Sequence, residues 1–153
     1  MTDFQAANPN FEADTRASFG RQAVMKTLGA SLVKVLPGEI VIEMPFRDDL
    51  TQQAGFMHAG IITTIVDSAC GFAAFTLMPP GVDVLTVEYK INLLSPAVGE
   101  RFRAYGRVTK PGRTLTVCMG DVYAIVDGNE KLVATMLSTL ILRQPSDMTK
   151  SGA

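Results

Sequence analysis

A change of period partway along the chain limits its fold more than any other feature. His58 to Leu77 is a long run with frequent alanine, no Gly-Pro punctuation at its centre, and Pro79-Pro80-Gly81 just beyond it. Such a run is too long for one strand and predicts a helix that the prolines end. From Val84 the apolar period drops to two. Leu85, Val87, Tyr89 and Ile91 alternate with Thr86, Glu88 and Lys90, and Phe102, Ala104, Gly106 and Val108 alternate with Arg103, Tyr105 and Arg107. Thr114 to Val126 and Lys131 to Leu142 continue as strands, with turns at Ser95–Gly99, Lys110–Arg113 and Asp127–Asn129. Short turns between long strands predict an antiparallel meander. A largely apolar helix needs a sheet to cover it. The pattern therefore predicts an α+β fold, one curved antiparallel sheet wrapped around a long central helix. Repeated βα units are absent, which argues against a parallel, dinucleotide-binding sheet.

Upstream, Phe19, Ala23 and Val24 recur at helical spacing, so a short N-terminal helix is expected over Asp14–Thr27 with Gly29 as its stop. Strands follow at Ala30–Leu36 and Glu39–Phe46 around the turn Pro37-Gly38. Residues 1–13 are expected to be a flexible leader, 14–143 a single domain and 144–153 a flexible tail. With 153 residues, 47% apolar and 19% charged, the chain is long enough for one real core and too apolar for disorder. A formal net charge of -1 leaves no broad positive field for nucleic acid. One histidine and two cysteines exclude a multi-His metal site and a disulfide framework. Cys70 and Cys118 are expected to be buried thiols in a reducing cytoplasm. Met1 to Asn10 carries no basic cluster followed by an apolar core, so no secretion signal is expected. Asp67 in the middle of the longest apolar stretch argues against a membrane span.

The central helix carries the candidate chemistry. On a wheel of about 100° per residue, Ile62, Ile65, Val66, Ala69, Phe72 and Ala73 supply much of its apolar surface. Gly60, Thr63, Thr64, Asp67, Gly71 and Ala74 lie near another face. An acid among small side chains has room beside it, and a largely buried carboxylate is costly unless paired or used. The competing reading is a packed face with Asp67 bonded to Thr63 or Thr64. Gly55 to Gly60 leads into the helix, where unpaired backbone N–H groups and the helix dipole favour an oxyanion. His58 stands at that start, as a catalytic group or as a cap. No G-x-S-x-G elbow is present, which argues against a serine triad. Arg101, Arg103 and Arg107 read as the solvated face of a sheet. Lys110, Gly112 and Arg113 form a turn suited to an anion such as a nucleotide-like phosphate.

Gln52-x-x-Gly55-x-x-His58-Ala59-Gly60, with Asp67 nine residues after His58, resembles the signature of hot-dog fold acyl-CoA thioesterases. The nearest group is the phenylacetate-degradation thioesterase family, related to 4-hydroxybenzoyl-CoA thioesterases. Ser95-Pro96-Ala97-x-Gly99-Glu100 and Lys110-Pro111-Gly112-Arg113 extend the resemblance, which spans about residues 20–143. It implies a hot-dog fold and active sites at the interface of a homodimer, alone or within a dimer of dimers. Asp67 would be the nucleophile or the general base for water, and the Ala59 N–H would polarise the thioester carbonyl. His58 would orient the loop or the substrate, Gln52 stands where the family usually has Asn, and Thr86 would hold the water. The usual His-Gly-Gly is His-Ala-Gly here. The substrate would be an aryl- or medium- to long-chain acyl-CoA, with coenzyme A part of the substrate, no separate cofactor and no metal. Its phosphates would lie near Lys110, Gly112 and Arg113, with Gly60 and Met57 also touching substrate. Phe56, Phe72, Phe75 and Met78 would join Met57 along the acyl tunnel. An acyl-CoA or acyl-carrier binding protein with little catalysis is the alternative, and a dehydratase of the same fold ranks last.

Overall fold

The computed structural model describes residues 4–144. Its elements are helices α1 (Phe11–Arg21) and α2 (Ala23–Leu28), strands β1 (Ser31–Leu36) and β2 (Glu39–Pro45), a single 3-10 turn (Asp48–Leu50) and helix α3 (Ala59–Phe75). Strands β3 (Asp83–Leu93), β4 (Arg101–Lys110), β5 (Leu115–Val126) and β6 (Asn129–Arg143) complete it. All strand pairs are antiparallel, in one six-stranded sheet of order β1-β2-β4-β5-β6-β3. The long helix, the two early strands and the four later ones fall where the periodicity predicts them.

The expected meander holds for β4, β5 and β6 but not for β3, which leaves β4 and pairs with β6 at the far edge. The reason lies in residues 94–100. Leu94 N–H donates to the Val133 carbonyl, the Ala97 carbonyl accepts from Met57, and Glu100 N–H donates to the Ile125 carbonyl. This segment therefore crosses the ends of β6 and β5. Three strand spacings are about 14 Å, and seven extended residues reach about 23 Å, so a short connection fits a crossing as well as a hairpin.

The N-terminal helix is broken in two. Gln22 leaves helical geometry (φ -76°, ψ 97°) and donates its N–H to the Phe19 carbonyl. The break lets α1 set Phe19 against Phe72, with ring centroids 5.7 Å apart, while α2 buries Met25 and Leu28. Gly29, with φ 68°, ends α2 as expected. The first helical residue is Phe11, inside the stretch expected as a leader, and Asn8 just before it is buried and donates to Asp14. Residues 1–3 of that leader, and all of the expected tail but Gln144, lie outside the described residues.

Helix α3 lies almost backbone to backbone on the sheet. Gly106 of β4 and Gly120 of β5 are register partners beneath it. A Cβ built on Gly106 falls 2.2 Å from the carbonyl carbon of Ala69, and one on Gly120 falls 2.4 Å from Val66 Cγ2. Val66, Ala69, Cys70 and Ala73 are fully buried at this contact. Both thiols are buried as expected, and Cys118 Sγ lies 3.5 Å from the Cys70 carbonyl oxygen. Burial pushes the Cys70 thiol up to about 12 and raises Cys118 as well, so neither is a nucleophile near neutral pH. On the outer face Arg103 pairs with Glu43 at 2.7 Å and Glu130 at 2.6 Å, and Arg107 with Asp121 at 3.7 Å.

Gly106→Ala should destabilise the protein by about 1–3 kcal/mol or more, the cost of overpacking a rigid contact. Gly20→Ala, in α1 with nothing within 4 Å, should be neutral or stabilising by up to about 1 kcal/mol. Denaturant melts of both variants check the pair, and equal effects would contradict the close-contact account.

Candidate active site

The segment before α3 is braced from several sides. Gln52 N–H donates to the Phe56 carbonyl at 2.8 Å, Gly55 N–H returns to the Gln52 carbonyl at 2.9 Å, and Gly55 takes a φ of 82° that favours glycine. The Gln52 side-chain oxygen accepts from Ala54 N–H. Gln52 thus folds back on its own loop. Met57 N–H binds the Ala97 carbonyl at 3.1 Å and His58 N–H the Leu50 carbonyl at 3.0 Å, which tie the loop to the crossing segment and the 3-10 turn.

His58 is the N-cap of α3. Its Nδ1 accepts from Gly60 N–H at 2.9 Å, which makes it the neutral, Nε2-protonated tautomer. Its carbonyl takes the N–H groups of Ile61 (2.9 Å) and Ile62 (3.2 Å). Three of the helix's first donors are therefore satisfied. Ala59 N–H has no acceptor among the described residues. A cleft of about 350 Å³ opens here, lined by Ala59, Gln52, Met57, Ile62, Leu94 and Val133 among others.

Asp67 lies two turns further along. It is partly buried, and Thr86 Oγ1 donates to its Oδ1 at 2.9 Å. Thr63 and Thr64 instead donate to the Ala59 and Gly60 carbonyls one turn back, at 2.9 and 2.7 Å. Asp67 is therefore bonded to neither Thr63 nor Thr64, and its hydroxyl donor comes from the sheet. A bulge between Thr86 and Glu88 shifts the β3–β6 register next to this threonine. Burial holds the Asp67 carboxyl above the ordinary carboxylate range, and the Thr86 hydrogen bond partly offsets that rise. A second cleft, of about 530 Å³, contains Asp67, Thr86, Phe72 and Leu140. Ser18, Arg21 and Gln22 supply a further wall. The residue pattern offers no signal for that wall, because it depends on the break between α1 and α2.

Within one chain, Ala59 and Asp67 belong to different clefts. Eight helical residues separate them by about 12 Å, so the Ala59 N–H and the Asp67 carboxylate of one copy do not meet at one carbonyl. Lys110, Gly112 and Arg113 line neither cleft; they sit in the exposed β4–β5 turn, and neither cation has an ion-pair partner among the described residues. The turn lies at the Asp67 end of the sheet, where Thr116 of β5 and Thr86 of β3 both pair with Leu140. A Cβ on Gly112 would stand 2.2 Å from the Leu115 carbonyl oxygen, so this turn requires glycine. Gly60 is less tightly set: a Cβ built on it would stand 3.1 Å from His58 Nδ1. Of the expected tunnel residues, Phe56 and Met57 line the Ala59 cleft and Phe72 the Asp67 cleft; Phe75 stacks edge-on with Phe72, and Met78 is buried in the core. Among the described residues no three His, Cys, Asp or Glu side chains gather as a metal site, and no helix is long and apolar enough to cross a membrane.

Strand β3 is an open edge. Its Leu85, Val87, Tyr89 and Leu93 are 46%, 55%, 47% and 55% exposed, an apolar edge of the kind proteins normally cover.

Residues 54–130 match the family model of the thioesterase superfamily. Human acyl-coenzyme A thioesterase 13 is 30% identical over 105 residues, 68% of this chain and 73% of that protein. The crystal structure of a thioesterase family protein from Silicibacter pomeroyi is 52% identical, with a TM-score of 0.86 over 88% of this chain and 98% of the other. The PaaI protein of the Escherichia coli phenylacetic acid degradation operon, at 18% identity, shares the fold with a TM-score of 0.78 over 89% and 95% of the two chains. The chain spans 66% to 83% of the length of three further curated relatives.

Two stability predictions follow from this geometry. His58→Ala removes the cap acceptor and should cost about 0.5–2 kcal/mol, while His58→Asn restores most of it; equal losses in thermal melts would show that the cap contributes nothing. Asp67 has a raised folded-state pKa, so the native state binds its proton more tightly than the unfolded state does. Its contribution favours folding at low pH and is lost as pH rises from the ordinary value of 3.8 through the raised one. Asp67→Asn should accordingly melt at or above the wild-type temperature at pH 7, with the difference shrinking in acid. A much lower melting temperature at pH 7 contradicts the assignment.

Proposed function

The chain belongs to the thioesterase superfamily, and we propose that it hydrolyses the thioester of an acyl-coenzyme A at a site shared by two copies. The observation that carries this reading is the unpaired Ala59 N–H at one end of α3 with the Asp67–Thr86 pair about 12 Å along the same helix. Each is half of an acyl-transfer site, and one chain cannot join them. The open edge of β3 offers the way to do so. Along β3, Thr86 marks the Asp67 end and Leu93 the Ala59 end. Antiparallel pairing of two β3 edges about a two-fold axis sets the Thr86 end of one copy beside the Leu93 end of the other. Asp67 then faces Ala59 of the partner copy, twice per dimer.

In that arrangement the thioester oxygen accepts from the partner copy's Ala59 N–H, a donor fixed in place before the reaction. Asp67 either removes a proton from a water positioned with Thr86 or attacks the carbonyl carbon itself. In the first route hydroxide adds to the carbonyl, the C–S bond breaks, and the thiolate regains the proton from Asp67. In the second the Asp67 carboxylate adds to the carbonyl carbon, the C–S bond breaks to leave an acyl-aspartyl anhydride and the coenzyme A thiolate, and water hydrolyses the anhydride to the free acid, restoring the Asp67 carboxylate and supplying the proton that the thiolate takes. Both routes need the charged carboxylate. The acyl group enters the apolar cleft beside Ala59, which suits an aryl or medium-length aliphatic chain. The acyl-coenzyme A thioesterase relative supports this substrate class.

Turnover of aryl- and alkanoyl-CoA thioesters tests the reading directly. Asp67→Asn should lower kcat by about 10²-fold or more while the protein stays folded. Ala59→Pro is the matching test of the oxyanion donor. Proline is favoured at the first helical position, and His58 has the extended ψ of 137° that a following proline requires. The ring Cδ takes the place of the N–H while the helix start is kept, and kcat should fall about 10²–10³-fold or more. Binding of acyl-CoA with no turnover by the wild type would overturn the proposal in favour of a carrier-like protein. The acid limb of kcat/KM should lie above the ordinary carboxylate range, and Thr86→Val should move it further up by removing the bond that stabilises the anion. An unmoved limb would separate Asp67 from the rate.

A further inference from the structure

Strand β3 carries two opposite charges that its own chain does not pair. On the outer face of the sheet, ion pairs join one strand to another: Arg103 of β4 meets Glu43 of β2 and Glu130 of β6, and Arg107 of β4 meets Asp121 of β5. Arg107, Met119, Leu137 and Lys90 are register partners in one row across β4, β5, β6 and β3, so Lys90 shares that outer face. Glu88 lies on it one row away, opposite Thr139, whose Oγ1 donates to one of the carboxylate oxygens at 2.8 Å. Both residues are exposed, and neither makes an ion pair among the described residues. The reason is their place: β3 is the last strand of the sheet, with no neighbour beyond it. Tyr89, between them, is the register partner of the fully buried Ser138 and so lies on the helix side, 47% exposed.

Resting on the shared-site reading above, we infer that a second copy pairs with β3 in one register, with Tyr89 on the two-fold axis and Glu88 of each copy opposite Lys90 of the other. Residues directly opposite in an antiparallel ladder lie on the same face. An axis between two residues would oppose neighbours that point to different faces, so the axis falls on a single residue, which meets its own counterpart. The β3–β6 register skips Val87 at the bulge. With Val87 left out of the count, an axis at Lys90 sets Thr86 against Leu93, and an axis at Tyr89 sets Thr86 against Ile91. Both keep the Asp67 end of one copy beside the Ala59 end of the other. The first places Lys90 against Lys90, and like charges directly opposite repel. An axis at Ile91 leaves Glu88 and Lys90 without partners. The axis at Tyr89 pairs Glu88 with Lys90 twice per dimer and brings two Tyr89 rings together on the helix side, midway between the two sites. The next register slides one copy about 7 Å along the other. The charge pairs therefore fix the distance from Asp67 to the Ala59 N–H of the second copy.

Cysteine cross-linking and charge reversal test this register. Under mild oxidation Tyr89→Cys should give a disulfide-linked dimer, because residues that meet across the axis have Cα atoms about 4.5–5.5 Å apart. Lys90→Cys should not, because its two Cα atoms then lie about 8 Å apart, beyond disulfide reach. Both native thiols are buried, so the wild type serves as the blank. In sedimentation runs at low salt, Glu88→Lys and Lys90→Glu should each raise the dimer dissociation constant about tenfold or more, and the double reversal should return it close to the wild-type value. Salt at about 0.5 M should compress these differences. A cross-link in Lys90→Cys without one in Tyr89→Cys, or a double reversal as weak as the single ones, would overturn the register while leaving the shared site intact. A monomeric wild type would instead overturn the reading on which the register rests.

Discussion

The structure depends on one close contact, the passage of α3 over the paired glycines Gly106 and Gly120. At those two positions the sheet offers no side chain, and the helix answers with Val66, Ala69 and Cys70. Backbone meets backbone, so the helix has little freedom to shift or roll without a clash or a void. Its azimuth is thereby set, and with it the direction of Asp67 toward β3 and Thr86. The buried cysteines belong to the same contact. Their thiols are raised by burial and fill space in place of bulkier side chains.

Around that fixed helix, the site uses costly groups sparingly. The first turn of α3 has several N–H groups in search of acceptors. His58 satisfies three of them, one through its ring and two through its carbonyl, and the Ala59 N–H remains. A histidine at the start of a candidate active site thus acts through shape, and its neutral form is the one that caps. Asp67 shows the opposite economy. Its charge is partly withdrawn from water at a cost to stability, and one hydroxyl from the edge strand offsets part of that cost. The open edge of β3 carries that hydroxyl, so the strand that completes the acid's surroundings is also the strand through which the proposed pairing with a second copy would run.

Much of the fold is legible in residue order. The change of period at Val84 separates helix from strands because a helix of about 3.6 residues per turn and a half-buried strand of period two impose different spacings on apolar residues. Gly29 is legible as a stop because only glycine takes its φ without strain. The partner of β3 is not, because seven residues reach a neighbouring strand or cross two with equal ease. The break at Gln22 depends on where Phe72, Met25 and Leu28 lie in space, which no local preference encodes. The wheel isolates Asp67 but misleads about its bond. Helical threonines turn to their own carbonyls, and the true donor is Thr86, brought in from nineteen residues away by the sheet. Thr86 and Ala59 are legible through the resemblance to the hot-dog thioesterases, whose pattern records the outcome of packing.

The central claim is that each working site takes its oxyanion donor from one copy and its acid from the other. Asp67→Asn and Ala59→Pro chains carrying different affinity tags, co-expressed and purified as hybrid dimers, measure it. Each hybrid keeps one unaltered Ala59 facing one unaltered Asp67 across the two-fold axis, and one site with both altered. The account predicts about half the wild-type turnover per dimer from two parents that are each inactive alone. Hybrids as inactive as their parents would contradict it and place the donor and the acid within a single chain.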